Sequence, residues 1–332
     1  MLWDQQTQDL LFAVKTDPLG ERRDPERQAL TYELRLRQLG RTSAYRVEFE
    51  QLGNRYRVET GQMPEPKKFL ERRPGRAVIW DFDDHGINAH PDSIPDDQTL
   101  LSLLAGPFSN QLVVAFRDSL VDWTIYHDLR VDQDALLRQA AVARVEQRVA
   151  PDGQNLIPVL HTLYTGDREF KHTVDAAMRA AFGVDFEELV FPPAADQRVQ
   201  LRVRWRSLKT EQSAANLSDG TLRFLMLIAI FASPDPGGLI ALDEPETGLH
   251  PGTMAIVAEL AAAAAERTQV LLTTHSPQFL DAFHDVKPTV AVVGWEDGET
   301  RLTLLDQQEL DRWLEHYSLG SLQLSGELEG LA

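Results

Sequence analysis

The chain has 332 residues, 43% apolar and 25% charged, enough for one large or two modest domains around a sizeable core. It contains no cysteine, which excludes disulfides, thiolate metal sites and cysteine nucleophiles. The formal charge of −18 is uneven: residues 1–76 hold 15 Lys+Arg against 12 Asp+Glu, and the remainder 18 against 39, so general nucleic-acid binding is disfavoured while the N-terminal part keeps room for a local basic surface.

No apolar run approaches the roughly 20 residues of a membrane-spanning helix. Met1–Gln6 lacks the basic-then-apolar pattern of a signal peptide, so a cytoplasmic protein without a membrane partner is expected. Residues 29–82 predict an antiparallel meander. Tyr32, Leu34 and Leu36 alternate with Glu33, Arg35 and Arg37; Tyr45, Val47 and Phe49 alternate with Arg46 and Glu48; Tyr56 and Val58 repeat the pattern after a Gly53-Asn54 turn. Ala77–Trp80 adds a further strand. Residues 83–98 are polar, acidic and proline-containing and predict a loop. The acidic stretch Asp81–Asp97 includes His85 and His90, but its spacing fits no calcium or zinc motif and reads as solvated.

The stretch 99–190 reads as mainly helical, with a strand at Trp123–Tyr126, one helix opening at Asn155-Leu156-Ile157 and another over 167–182 stopped by Gly183. Arg198–Arg206 alternates strictly and predicts one strand. Its arginines face either DNA or the chain's own abundant carboxylates, and the second reading is favoured. Leu222–Phe231 is a nearly all-apolar helix. Leu239–Leu242 and Val270–Leu272 are continuous apolar runs, as in parallel strands buried on both faces, and an alanine-rich helix over Thr253–Arg267 joins them. This βαβ order implies a parallel sheet. The tail predicts a strand at Arg301–Leu305, a helix near Gln308–His316 and a loose acidic end. The domain division expected is 1–98 for an antiparallel β part, 99–197 for a mainly helical insertion and 198–332 for the core with its tail.

Three segments carry chemistry. The run Leu239–Leu242 ends in Asp243-Glu244, two adjacent acids at a strand tip, where ligands sit in open α/β sheets. In phosphoryl transfer the first acid is placed to hold Mg²⁺ and the second to polarise a water; the ordinary alternative is two solvated acids ending a strand. Leu217-Ser218-Asp219-Gly220-Thr221 precedes the helix over 222–231. Ser218 can cap it and Gly220 allows close backbone approach, which leaves free N–H groups suited to a phosphate, or else simply makes an ordinary helix start. Thr273-Thr274-His275-Ser276 ends the next apolar run, where a histidine can reach a γ-phosphate or merely terminate a strand. The joint order of the three is far more specific than any one alone.

In these motifs the sequence resembles AAA-type ATPases of the ABC/SMC/RecF-like group. Leu217–Thr221 matches their signature motif, Leu239–Glu244 Walker B, Glu246-Thr247-Gly248-Leu249-His250-Pro251 the D-loop region and Thr274-His275-Ser276 the switch histidine. Asp152–Leu156, Tyr317–Gly320 and Ser325–Leu328 are weaker likenesses. The resemblance spans about 120–332 and is strong over 216–277. It implies an α/β P-loop NTPase fold of ABC-ATPase type, with an antiparallel β subdomain and a helical insertion. It also implies an ATP-dependent homodimer or paired heads that sandwich ATP and Mg²⁺ between them. On that likeness Asp243 positions Mg²⁺, Glu244 activates water, His275 senses the γ-phosphate, and Leu217, Ser218, Asp219, Gly220 and Thr221 meet the partner's nucleotide. A role in DNA repair or phage defence, with a DNA or nuclease partner, follows from the group alone. Only 57 residues follow His275, too few for the nuclease domain some relatives carry.

The pattern Gly-x-x-x-x-Gly-Lys-[Ser/Thr], the Walker A loop, is absent from the sequence. The chain therefore reads as an ATPase head lacking its Walker A strand, loop and helix, through an internal start or a cut, with little activity alone. The alternative is a non-catalytic partner subunit that lends signature and D-loop residues to another head or serves as an interaction module.

Overall fold

The computed structural model describes residues 9–16, 29–40, 44–54, 67–80, 86–89, 94–103, 111–296 and 299–331. Two compact units, Met1–Val121 and Asp122–Ala332, each form around a core of their own.

The first unit is a six-stranded antiparallel sheet in sequential order: β1 (Asp9–Lys15), β2 (Leu30–Gln38), β3 (Tyr45–Asn54), β4 (Lys68–Arg73), β5 (Arg76–Trp80) and β6 (Gly86–Ala89). The expected meander is present, with two differences. Gly53 and Asn54 lie inside β3, paired to β2, because the close approach of the Lys67 carbonyl, 2.9 Å from where a Cβ on Gly53 would sit, needs a glycine there. Part of the expected loop over 83–98 is strand β6, whose Gly86–Ala89 pairs with β5. Tyr56, Val58, His85 and His90 lie outside the described residues.

Two helices, α1 (Leu100–Leu103) and α2 (Gln111–Val121), complete this core, with Leu100, Leu101, Val113 and Phe116 packed among Leu30, Tyr32, Leu52 and Leu70. Within it sits Glu50, fully buried, which accepts hydrogen bonds from Leu100 N (2.5 Å), Leu101 N (2.9 Å) and the Tyr32 hydroxyl (3.0 Å). A buried carboxylate needs such donors. Burial nonetheless raises its pKa above the usual 4.5, and the three donors and the charge of Arg72 oppose that rise.

In the second unit three parallel strands run in the order β15-β14-β7, from β7 (Trp123–Tyr126), β14 (Leu239–Asp243) and β15 (Gln269–Thr273). The helix ahead of β14, α5 (Asp219–Phe231), has Leu222 and every residue from Phe224 to Phe231 buried. A helix apolar on all sides has to be enclosed. Here α3 (Leu156–Gly166), α4 (Arg168–Phe182) and α6 (Pro251–Ala265) pack around it. Asp167 caps α4 through Phe170 N and Gly183 ends it, as the sequence indicates.

Double-sided burial holds for Leu239 and Ile240 of the central strand but not for the strands beside it. Ile240, Leu242 and Tyr126 are buried, with Val270 and Leu272 packed against them. On the opposite face Ile125 and Leu271, which flank Ala241 in register, are 58% and 56% exposed. Among the described residues a helix layer covers one face of this three-stranded sheet, so β15 alternates.

Arg198–Arg206 is two strands rather than one. Between β8 (Ala141–Val142) and β13 (Gln212–Ser213), two three-stranded sheets form: β10 (Pro193–Ala194), β11 (Arg198–Val199) and β8 in one, β13, β12 (Arg202–Trp205) and β9 (Phe186–Val190) in the other. The break falls where Gln200 N bonds Pro192 O and Leu201 turns into the core. Two of the segment's arginines meet the chain's own acids, Arg204 with Glu188 and Glu211, and Arg206 with Glu187, while Arg198 donates to Ala140 O and Arg202 to the Gln200 side chain.

Asp152–Leu156 is a packing hub. Gly153 has φ +72° and lies against Met226 of α5, while the Asn155 side chain binds Ala150 N, Arg148 O and Glu146. The tail is ordered, not loose. After α7 (Pro277–Asp281) and the hairpin β16 (Ala291–Glu296) and β17 (Glu299–Leu304) come α8 (Gln307–Leu314), α9 (Leu319–Ser325) and α10 (Glu327–Gly330). Leu305, Leu310, Leu319, Leu322 and Leu328 form a small third core, and that burial overrides the acidic composition. Ser318 caps α9, and Gly320 N donates to Asp281 (2.7 Å) at a contact too close for any side chain. No helix among the described residues is long and apolar enough to cross a membrane.

The buried Glu50 makes a pH prediction. A carboxyl whose folded pKa is raised adds stability that is full below the unfolded value of 4.5 and is lost as pH rises through the folded value. Glu50→Gln does not titrate. Its urea midpoint relative to wild type is therefore expected to improve from pH 4.5 upward, and a difference flat with pH would refute the shift.

Candidate functional site

The three sequence motifs meet in the second unit at the C-terminal tips of the parallel sheet. Strands β14 and β15 end level with each other, Asp243 beside Thr273. The Thr273 hydroxyl donates to the exposed Asp243 carboxylate. The next residue, Glu244, has φ +43°, a left-handed backbone that a residue with a Cβ rarely adopts. Its N–H donates to Thr273 O (3.1 Å). Its carbonyl accepts from Thr247 N (3.1 Å) and from Arg223 Nη2 (3.2 Å), and its carboxylate accepts from the Thr247 hydroxyl (3.2 Å). Contacts from three elements thus hold the conformation.

Not every residue of the 246–250 segment faces outward. Glu246 is 8% exposed and accepts from the Thr274 hydroxyl, and Leu249 is buried. His250 caps α6 through its Nδ1, which accepts from Gly252 N (3.1 Å). Thr247 and Gly248 are exposed. His275, two residues past the tip of β15, is exposed and makes no hydrogen bond or ion pair among the described residues.

Ser218 caps α5 as the sequence indicates: its Oγ accepts from Thr221 N (3.1 Å) and lies 2.8 Å from Thr221 Oγ1. Leu217 is buried. The close approach at Gly220 is to the protein itself, since a Cβ there would stand 2.9 Å from the Gly248 carbonyl. The start of α5 therefore abuts the 246–250 segment.

Two arginines that the sequence reading passed over organise this arrangement. Arg138, 8% exposed, donates from Nε to Val131 O and Asp132 O (both 2.9 Å) and from Nη1 to Leu217 O (2.8 Å), Ala214 O and Ala215 O (both 3.3 Å). Its Nη2 binds Val131 O and pairs with Asp219. One guanidinium thus shapes the whole lead-in to Ser218. The available signal was a lone basic residue after Leu136-Leu137. Arg223, one turn into α5, is the other. Burial lowers its pKa, opposed by the charges of Glu246 and then Glu244.

A carboxylate held by one hydroxyl at an exposed strand tip fits Mg²⁺, which takes one or two carboxylates and fills its other positions with water and phosphate oxygens. A dedicated protein cage would need more: among the described residues no three His, Cys, Asp or Glu side chains converge to hold a metal.

Residues 110–281, more than half of the chain, match a family described as "AAA domain, putative AbiEii toxin, Type IV TA system". The chain belongs to this AAA family. The match contains the signature, Walker B, D-loop and switch-histidine segments between 217 and 276, and with it the AAA domain has the α/β P-loop NTPase type of fold that these motifs imply. No curated protein matches the chain. Similar solved structures are SMC heads. One bound to the C-winged helix domain of ScpA is 11% identical, over 88% of this chain and 79% of its own, with a TM-score of 0.45. The head from Thermotoga maritima is 11% identical over 86% and 78%, with a TM-score of 0.34. The Pyrococcus furiosus head with an extended coiled coil is 14% identical over 50% and 40%, with a TM-score of 0.37. Likeness at this level carries no functional weight.

Arg138 offers a test of the site's scaffold. Arg138→Ala removes the donor to the buried Leu217 carbonyl and those to Val131 O and Ala215 O, while Asp219 stays largely in water, and should cost about 2–4 kcal/mol by chemical unfolding. Arg138→Lys should recover little, since an ammonium cannot span those acceptors as a planar fork does. Full recovery by lysine would show that charge alone suffices.

Proposed function

We propose that this AAA domain binds and hydrolyses ATP as one head of an ABC/SMC-like pair. The reading rests on one observation: an exposed acid, an acid in a strained backbone and a free histidine stand on neighbouring strand tips beside the capped start of α5. Asp243 would hold Mg²⁺, which when bound neutralises charge on the β- and γ-phosphates. Glu244 takes the proton of the attacking water. The Thr247 hydroxyl orients that carboxylate through one oxygen and leaves the other for the water. His275, exposed and without a partner among the described residues, contacts the γ-phosphate. Gly220 presents its first-turn N–H, Ser218 and Thr221 their hydroxyls, and the helix start the positive end of its dipole, to nucleotide held by the facing head. In that pairing Thr247 and Gly248 face the partner, while Glu246, Leu249 and His250 keep the loop in shape.

A second reading has its own observation, the exposed and capped start of α5 at Ser218. In it the domain lends Ser218 and its neighbours to another head and turns over nothing at its own acids. A role in phage defence or toxin–antitoxin biology rests on the family description alone.

Phosphate release from ATP by the protein isolated from its own cells, with whatever copurifies, separates the two. Glu244→Gln is expected to lower turnover by roughly 10²-fold or more while nucleotide binding persists. Turnover that survives this substitution but falls with Ser218→Arg would establish the partner reading instead.

A further inference from the structure

We infer that Arg223 is a positioning residue that ties the start of α5 to the backbone of Glu244, so that a ligand held at Ser218 and Gly220 also sets the general base of the same chain. Three observations carry this. Arg223 is one turn along from Ser218 on a helix whose core positions are fully enclosed, so the segment moves as a body. Its Nη2 donates to the carbonyl of Glu244, whose left-handed φ of +43° persists only because neighbours impose it. The other ties to that backbone come from Thr273 on β15 and Thr247 in the loop, so Arg223 is the tie from α5.

The guanidinium also has somewhere else to go. Its Nε and the Oε2 of Glu246 are both buried, and neither has a hydrogen-bond partner. Glu246 is the carboxylate whose charge favours the guanidinium most strongly. An unmet donor and an unmet acceptor on neighbouring elements let a small shift of α5 exchange the Glu244 carbonyl for the Glu246 carboxylate. Ion pairing of that kind is stronger than a bond to a neutral carbonyl. The coupling is therefore a choice between two partners two residues apart, one of which fixes Glu244.

The first half of this inference stands without nucleotide; the second rests on the ATP reading. Hydrogen exchange of the whole protein tests both. In Arg223→Met, which keeps the length of the side chain and removes its charge, amides over 243–249 should exchange roughly 2- to 10-fold faster, the worth of one net hydrogen bond, while those of α5 stay protected. Arg223→Lys, which keeps a donor, should restore part of the protection; it is also the variant to compare if the methionine form does not fold. Unchanged exchange over 243–249 in both variants would overturn the tie. Adding MgATP to the wild type should then slow exchange at 218–221 and 243–249 together, and in Arg223→Met should slow 243–249 roughly 2- to 10-fold less, because the direct contacts of Asp243 and Glu244 with the metal–nucleotide remain and the tie from α5 does not. Equal slowing of 243–249 in the wild type and Arg223→Met would overturn the coupling. If ATP slows neither segment in the wild type, the ATP reading fails, and the comparison without nucleotide still decides the role of Arg223.

Discussion

A helix apolar on every side can exist in water only inside something, and α5 imposes that constraint on the whole second unit. Enclosing Leu222–Phe231 takes α3, α4, α6 and the inner face of the parallel sheet. Once they are in place, the start of α5 is fixed in both position and direction, because the chain ahead of it is pinned by Arg138 and Gly220 is packed against Gly248. The place of the Ser218 cap is thus a by-product of burial further along the same helix. So is its neighbourhood, since β14 and β15 lie against that core and end where α5 begins.

This explains which parts of the site were legible in the sequence. The cap at Ser218, the acids closing an apolar run and the histidine closing the next are local patterns, each within a few residues, and all three stand where their spacing put them. Arg138 and Arg223 were not legible, because their partners are far along the chain: those of Arg138 toward α5 lie 76 to 81 residues on, and that of Arg223 lies 21 residues on. No periodicity marks a residue whose work is to satisfy distant carbonyls. Gly220 shows a subtler failure. Its need for closeness was readable, but the neighbour was not, and it is the Gly248 carbonyl of the same chain.

The fold shows the same division. Alternation gave the meander, and apolar periodicity with the stop at Gly183 gave α4, whereas Arg198–Arg206 broke in two because Leu201 is drawn into the core between two small sheets. Continuous apolar runs were a poorer guide. Leu239–Leu242 and Val270–Leu272 are equally apolar on both faces, yet the described residues cover the face that carries Ile240, Leu242, Val270 and Leu272 and leave Ile125 and Leu271 on the other largely exposed. A run without polar positions does not record which face its own chain covers, and Leu271, apolar and exposed, is the visible result.

Charge sets the last condition on the strand tips. Asp243, Glu244 and Glu246 put three carboxylates within four positions in the acidic part of the chain. The dipole at the start of α5, equivalent to about half a positive charge, cannot offset them, and Arg223 is already committed to a carbonyl. Burial therefore has to separate the three. Glu246 is withdrawn beneath the surface and bound by Thr274, Glu244 is half-buried in its imposed backbone, and Asp243 stays exposed with one hydroxyl donor. The result attracts a cation before it tolerates an anion. On the proposed function, that ordering makes a metal–nucleotide complex, rather than free nucleotide, the species these tips can accept. On the same proposal, His275, which has no acid partner among the described residues, can turn toward phosphate.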